Sequence, residues 1–163
     1  PEEKRYFNLL MDYYTHANDM AALKAWAEEE IALNSGNKMA WALKGEVQMN
    51  NREWDAAVES YKKALEIDPE FIQCVFNAGV CLSTKAIDLK DQLADKSGMI
   101  TQANRDKVVD VVKEAETYYV RSRELDPDRE MCNWAYPLYQ IYYFLKDEAK
   151  QNEIIAIDPS LAQ

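Results

Sequence analysis

A single histidine, His16, stands among 163 residues. Zinc hydrolases of the H-E-x-x-H kind need two, so that chemistry is excluded. His16 falls at the expected turn between the first two helices and reads as a solvated surface residue. The three cysteines do not make up the loss, since none is in C-x-x-C spacing. Cys74 and Cys81 are seven apart, a rise of about 10 Å on one helix, too far for a disulfide. With Cys132 the count is odd, and buried free thiols are the expected state. Glycine and proline are scarce, at 4 and 5 residues, which fits helices joined by short turns. No Gly-rich phosphate loop and no nucleophile elbow can be found. No run of about 18 apolar residues occurs, so no membrane span is expected. Positive charge is in deficit: 19 Lys and Arg against 29 Asp and Glu leave a net charge of -10. Such a surface repels phosphate backbones and anionic lipid, so nucleic acid is not an expected partner. The chain opens at Pro1 without a methionine, which reads as a mature form or a cut piece and leaves room for a removed leader.

What is present is a phrase that recurs. ALEIDPE at Ala64–Glu70, SRELDPD at Ser122–Asp128 and IIAIDPS at Ile154–Ser160 each close an apolar helical run on Asp-Pro. The residue before proline is driven out of the α region, so a helix stops there. The same Asp is expected to cap the next helix, with Pro at its first position. Other positions keep a 34-residue step: Leu9 falls on Leu43, Ile31 on Leu65, Leu33 on Ile67 and Gly45 on Gly79. From Pro69 to Pro127 the step is 58, which is 34 plus 24; Ala57 to Ala115 and Tyr61 to Tyr119 share it. The chain is therefore an array of about four helical units, the third with an insertion of 24 residues.

The segment Lys38–Phe71 resembles a tetratricopeptide repeat, with Trp41, Gly45, Ala57, Tyr61, Ala64 and Pro69 in the places that pattern asks for. Lys44 and Gln48 depart from it, standing where Leu and Tyr are usual. Gly79, Ala115, Tyr119 and Pro127 repeat the pattern in the third unit, with Ser122 in place of Ala. The first unit ends on IALNSGN, where Gly36 is expected to stop a helix in a left-handed conformation. In the fourth, Pro137 is expected to kink its first helix. The resemblance implies an all-α fold: a right-handed superhelix of about four antiparallel helix pairs in one domain. The units would be 4–37, 38–71, 72–129 and 130–163. The long third unit also looks like some exported bacterial members of the family, which favours periplasm or envelope over cytoplasm.

The insertion itself reads as helix. Leu82, Ala86, Leu89 and Leu93 make one stripe, and Ile100, Val108, Val111, Val112 and Ala115 the facing one. Both helices of the third pair should lengthen into a hairpin arm with its tip near Lys96–Gly98. The acidic sets Glu28-Glu29-Glu30 and Asp88, Asp91, Asp95 read as solvated faces, not as metal ligands. No enzyme, metal or cofactor is expected.

The resemblance implies a concave groove lined by the first helix of each pair. Its inner positions would be Arg5, Asn8 and Asp12, then Met39, Ala42, Glu46 and Met49, then Gln73, Phe76, Asn77 and Val80. A carboxylate clamp of the family's chaperone-binding members is not expected. Asn8 fits, but Asp12, Leu43, Gln73 and Asn77 replace the required Asn, Asn, Lys and Arg. The middle of the groove is apolar, and its Met and Phe either meet a partner or lie beneath neighbouring helices or the arm. The aromatic cluster Trp134, Tyr136, Tyr139, Tyr142, Tyr143 and Phe144 either lines the last seam between units or makes a subunit contact. The expected function is a protein-interaction adaptor taking an apolar peptide or helix. The alternative is a structural subunit, a homodimer, that self-associates through the arm or the aromatic unit.

Overall fold

Each Asp-Pro phrase does stop a helix, but only the last restarts helical structure at its proline. The computed structural model describes Leu9, Tyr13 and residues 19–162. Seven α-helices follow one another there: α1 (Met20–Leu33), α2 (Lys38–Asn50), α3 (Trp54–Ile67), α4 (Ile72–Leu93), α5 (Gln102–Leu125), α6 (Ala135–Leu145) and α7 (Glu148–Ile157). A 3-10 turn, Pro159–Ala162, is the last described element. No strand occurs among the described residues, so the fold is all-α. The chain divides into two compact units, Pro1–Cys74 and Val75–Gln163.

The joints show how. Asp68 is extended (φ -135°, ψ 93°) and its N–H still bonds Ala64 O, closing α3. Its carboxylate accepts from Glu70 N at 3.1 Å and its carbonyl from Phe71 N at 3.2 Å. Asp68 and Pro69 thus sit in a turn, and α4 begins only at Ile72. The expected capping of the next helix is corrected there: the side chain spends its acceptor on the turn. Asp126 behaves likewise, and α6 waits until Ala135. At the third joint Pro159 does open helical structure, with Asp158 accepting from Ser160 N at 3.2 Å.

Two further expectations are corrected. Gly36 is not left-handed; Gly98, at φ 79°, is the positive-φ glycine among the described residues. α1 instead ends on extended Asn34 (φ -147°), whose side chain accepts from Gly36 N at 3.1 Å. Pro137 is third in α6, within the first turn, where N–H groups have no intrahelical acceptor and a proline forces no kink. α6 closes on Lys146 in the left-handed region at φ 60°.

In Pro1–Cys74, α2 packs against α1 and, antiparallel, against α3. Gly45 allows the close approach: a Cβ there would lie 2.7 Å from Tyr61 Cε1. The Tyr61 hydroxyl donates to Glu46 Oε2 at 3.2 Å, and Ser60 Oγ to Gln48 Oε1 at 2.6 Å. Leu23, Ala27, Leu43, Val47 and Ala64 complete this core.

In Val75–Gln163 the lengthened hairpin is present. α2 ends five residues after Gly45, whereas α4 runs fourteen beyond Gly79. α3 starts three residues before Ala57, and α5 thirteen before Ala115. Leu82, Ala86, Val108, Val112 and Ala115 of the two expected stripes are buried. Asp95 shapes the tip, accepting from Ser97 N at 2.8 Å and Met99 N at 3.1 Å. Thr101 caps α5 through Asn104 N.

Asp126 organises the step from α5 to α6. Its carboxylate accepts from the backbone N–H groups of Glu130, Met131 and Cys132 at 3.0, 2.9 and 2.9 Å. Burial alone would raise its pKa, but these N–H groups and the Cys132 side chain outweigh it and hold the carboxyl below its ordinary value. A depressed pKa stabilises the fold above the unfolded value of about 3.9, and the contribution is lost as pH falls through the lowered one. Asp126→Ala is expected to cost about 3 kcal/mol in urea unfolding near neutral pH. The deficit against wild type should shrink once the pH drops below about 4; a deficit constant with pH would deny the carboxylate this role.

Candidate ligand groove

Between α4, α5 and α6, within Val75–Gln163, lies a cavity of about 800 Å³. Its floor is made by Val108, Val112 and Ile141, which are 2%, 8% and 6% exposed. Val108 and Val112 come from the apolar stripe of α5, and Ile141 from the one face of α6 that turns inward. The lip is different: Ile87, Tyr136 and Tyr143 line the same cavity yet are 60%, 53% and 67% exposed. The cavity is thus apolar below and open above. Tyr119 also lines it, only 2% exposed. Burial pushes the Tyr119 phenol up to about 12, against the pull of the Ser83 hydroxyl, so it stays protonated at neutral pH.

Three cations line the cavity as well: Lys90 from α4, Arg105 from α5 and Lys146 from the end of α6. Arg105 Nη2 donates to Phe144 O at 3.2 Å, and its guanidinium lies 5.1 Å from the Phe144 ring centroid. That carbonyl is in the last turn of α6, where no intrahelical donor is left for it. Arg105 therefore ties α5 to the C-terminal end of α6 and faces the negative end of its dipole.

The expected groove residues are scattered by burial. Arg5, Asn8 and Asp12, like His16, lie outside the described residues. On α2, Met39, Glu46 and Met49 are half-buried, and the last two meet the Tyr61 hydroxyl. Ala42, read as an inner groove position, is instead 2% exposed and belongs to the core. Gln73, Phe76, Asn77 and Val80 on α4 are half-buried. Phe76 is not an open groove residue: its ring meets Tyr119 edge-on, centroids 5.5 Å apart. Of the set, Val80 lines the cavity. The aromatic cluster divides, with Trp134 and Tyr142 buried and Tyr136 and Tyr143 exposed.

Sequence reasoning missed Lys90, Arg105, Lys146 and the lip tyrosines as one site. The signal available was the exposure demanded of six aromatics in a short terminal unit, which could not all be buried by it.

No group of three metal-ligating side chains occurs among the described residues. None of their helices is long and apolar enough to cross a membrane. Cys74 and Cys81 are free and buried, and Cys132 is free and half-buried. Burial pushes the Cys132 thiol up to about 11, with Asp126 adding to the shift, so it is no ready nucleophile.

No curated protein matches this chain in sequence. In fold it is similar to a monomeric mutant of IFIT1 with Gppp-AAAA, at a TM-score of 0.73 and 21% identity. It is also similar to the human IFIT1 dimer with m7Gppp-AAAA, at 0.70 and 20%. Each match covers 91% of this chain but 31% of the IFIT1 chain, so this chain spans about a third of that length. A looser match is to YrrB, a TPR protein with an unusual peptide-binding site, at 0.44 and 17%, covering 96% of this chain and 88% of that one. The family description "Tetratricopeptide repeat" matches residues 39–71, the α2–α3 pair. The matched pair is a tetratricopeptide repeat, and it stands in an all-helical array.

Proposed function

We propose that the chain is a scaffold that holds an apolar segment of another protein and performs no catalysis. The observation that carries the reading is the cavity of Val75–Gln163, buried at its floor and rimmed by exposed Ile87, Tyr136 and Tyr143. Apolar surface gathered in this way is surface that something covers. Its open lip suits a polypeptide laid along it better than a small molecule enclosed by it. On α2, half-buried Met39, Glu46 and Met49 offer an adaptable second surface. The IFIT1 structures hold capped oligonucleotides, but a net charge of -10 weighs against a phosphate backbone here.

Self-association is the second reading, favoured by the same exposed tyrosines. Light scattering separates the two: a mass that stays that of one chain at all concentrations removes it. For the leading reading, short random peptides displayed on phage are selected on the intact chain. Apolar peptides should emerge, and Tyr143→Asp should weaken them about tenfold or more. Tyr143 is 67% exposed, so the melting temperature should hardly move. Selected peptides that ignore Tyr143→Asp would place binding elsewhere and sink this site.

A further inference from the structure

We infer that the cavity selects a protein segment that sets a carboxylate beside its apolar anchor, and that the lengthening of α4 and α5 created this preference. The inference rests on the scaffold reading above and names the partner's chemistry.

The ground for it is where the chain leaves its cations without acids. Acids outnumber bases 29 to 19, yet no Asp or Glu is among the residues that line the cavity. In the same unit Arg121 reaches Glu124 at 2.9 Å and Lys150 reaches Glu116 at 2.7 Å, and Arg129 holds Asp158. Lys90, Arg105 and Lys146 make no ion pair with any described carboxylate, and all three line one apolar cavity. Asp147, next to Lys146, is turned away, capping α7 at Lys150 N and facing Lys150 Nζ.

Position adds a second point. Lys90 lies eleven residues after Gly79, and Arg105 ten before Ala115. The α2–α3 pair ends five residues after Gly45 and starts again three before Ala57, so it has no counterpart of either cation. The clamp positions of a standard unit are not involved. A competing account is that the cations only offset helix dipoles, since Lys90 is in the last turn of α4 and Lys146 caps α6. That account explains each one singly. It predicts an effect on stability and none on ligand choice.

The test uses the intact chain and the displayed random peptides. Selected peptides should pair apolar residues with Asp or Glu. Changing that acid to its amide should weaken binding to the wild-type chain about tenfold, and adding salt should weaken it further. The double variant Lys90→Gln, Lys146→Gln should bind the acidic and the amide peptide equally, with Arg105 left in place to hold α6. Apolar peptides without acid preference, or an unchanged preference in the double variant, overturn the inference and leave the scaffold reading standing. No peptide above background overturns both. The oligonucleotide Gppp-AAAA is the other probe; its binding in competition with the peptides would overturn the assignment to a protein segment.

Discussion

Trp134→Ala is expected to remove about 4 kcal/mol from the folding free energy of Val75–Gln163. The indole is 1% exposed, the largest of the fully buried side chains. Its Nε1 donates to Asp126 O at 2.6 Å, so alanine leaves a cavity and takes one of the two hydrogen bonds from that carbonyl, the other coming from Arg129 N at 3.1 Å. The guanidinium groups of Arg123 and Arg129 lie 5.6 and 5.8 Å from the ring, and Arg129 also holds Asp158. One substitution thus loosens the α5–α6 step and the end of α7 together. In a unit of this size the melting temperature should fall by roughly 15 °C or more. Calorimetry should show the loss; a fall of a degree or two would mean the ring is not what joins these helices.

Gly45→Val is expected to cost about 3 kcal/mol in Pro1–Cys74. Replacing a helical glycine ordinarily stabilises, by about 1 kcal/mol for alanine. Here the first added carbon would stand 2.7 Å from Tyr61 Cε1 and 2.8 Å from Cδ1. The ring has nowhere to go, being 1% exposed and bonded through its hydroxyl to Glu46. Steric cost therefore exceeds propensity gain. Gly79 is the built-in comparison, since its Cβ would meet Tyr119 at 3.0 Å, and Gly79→Val should cost less. Urea unfolding that ranks the two the other way would contradict the packing described.

The repeat was legible because its spacing records helix packing: a glycine opposite a tyrosine, Gly45 on Tyr61 and Gly79 on Tyr119, is written into the chain twice. The arm was legible because an apolar stripe at helical spacing has few other readings. The delayed restart after Asp68 was not. Proline's fixed φ serves both a turn and a first helical residue, and the turn after Asp68 is held by hydrogen bonds from Glu70 N to its carboxylate and Phe71 N to its carbonyl, neither of which spacing reveals. The groove was half legible. Met39, Met49 and Phe76 have the right spacing, but whether a ring faces outward or onto Tyr119 depends on the crossing of two helices. Lys90, Arg105 and Lys146 were beyond reach, because a charged residue suits the wet face of any helix and only the fold brings three ends to one cavity.

Lys146 carries a consequence for anyone who would harden this protein. A lysine at φ 60° occupies the conformation that glycine adopts without penalty, a difference of about 1 kcal/mol. Any programme that ranks substitutions by thermal robustness alone would choose glycine at 146 early. The chain so improved would fold better and would have surrendered one of the three positive charges at its cavity.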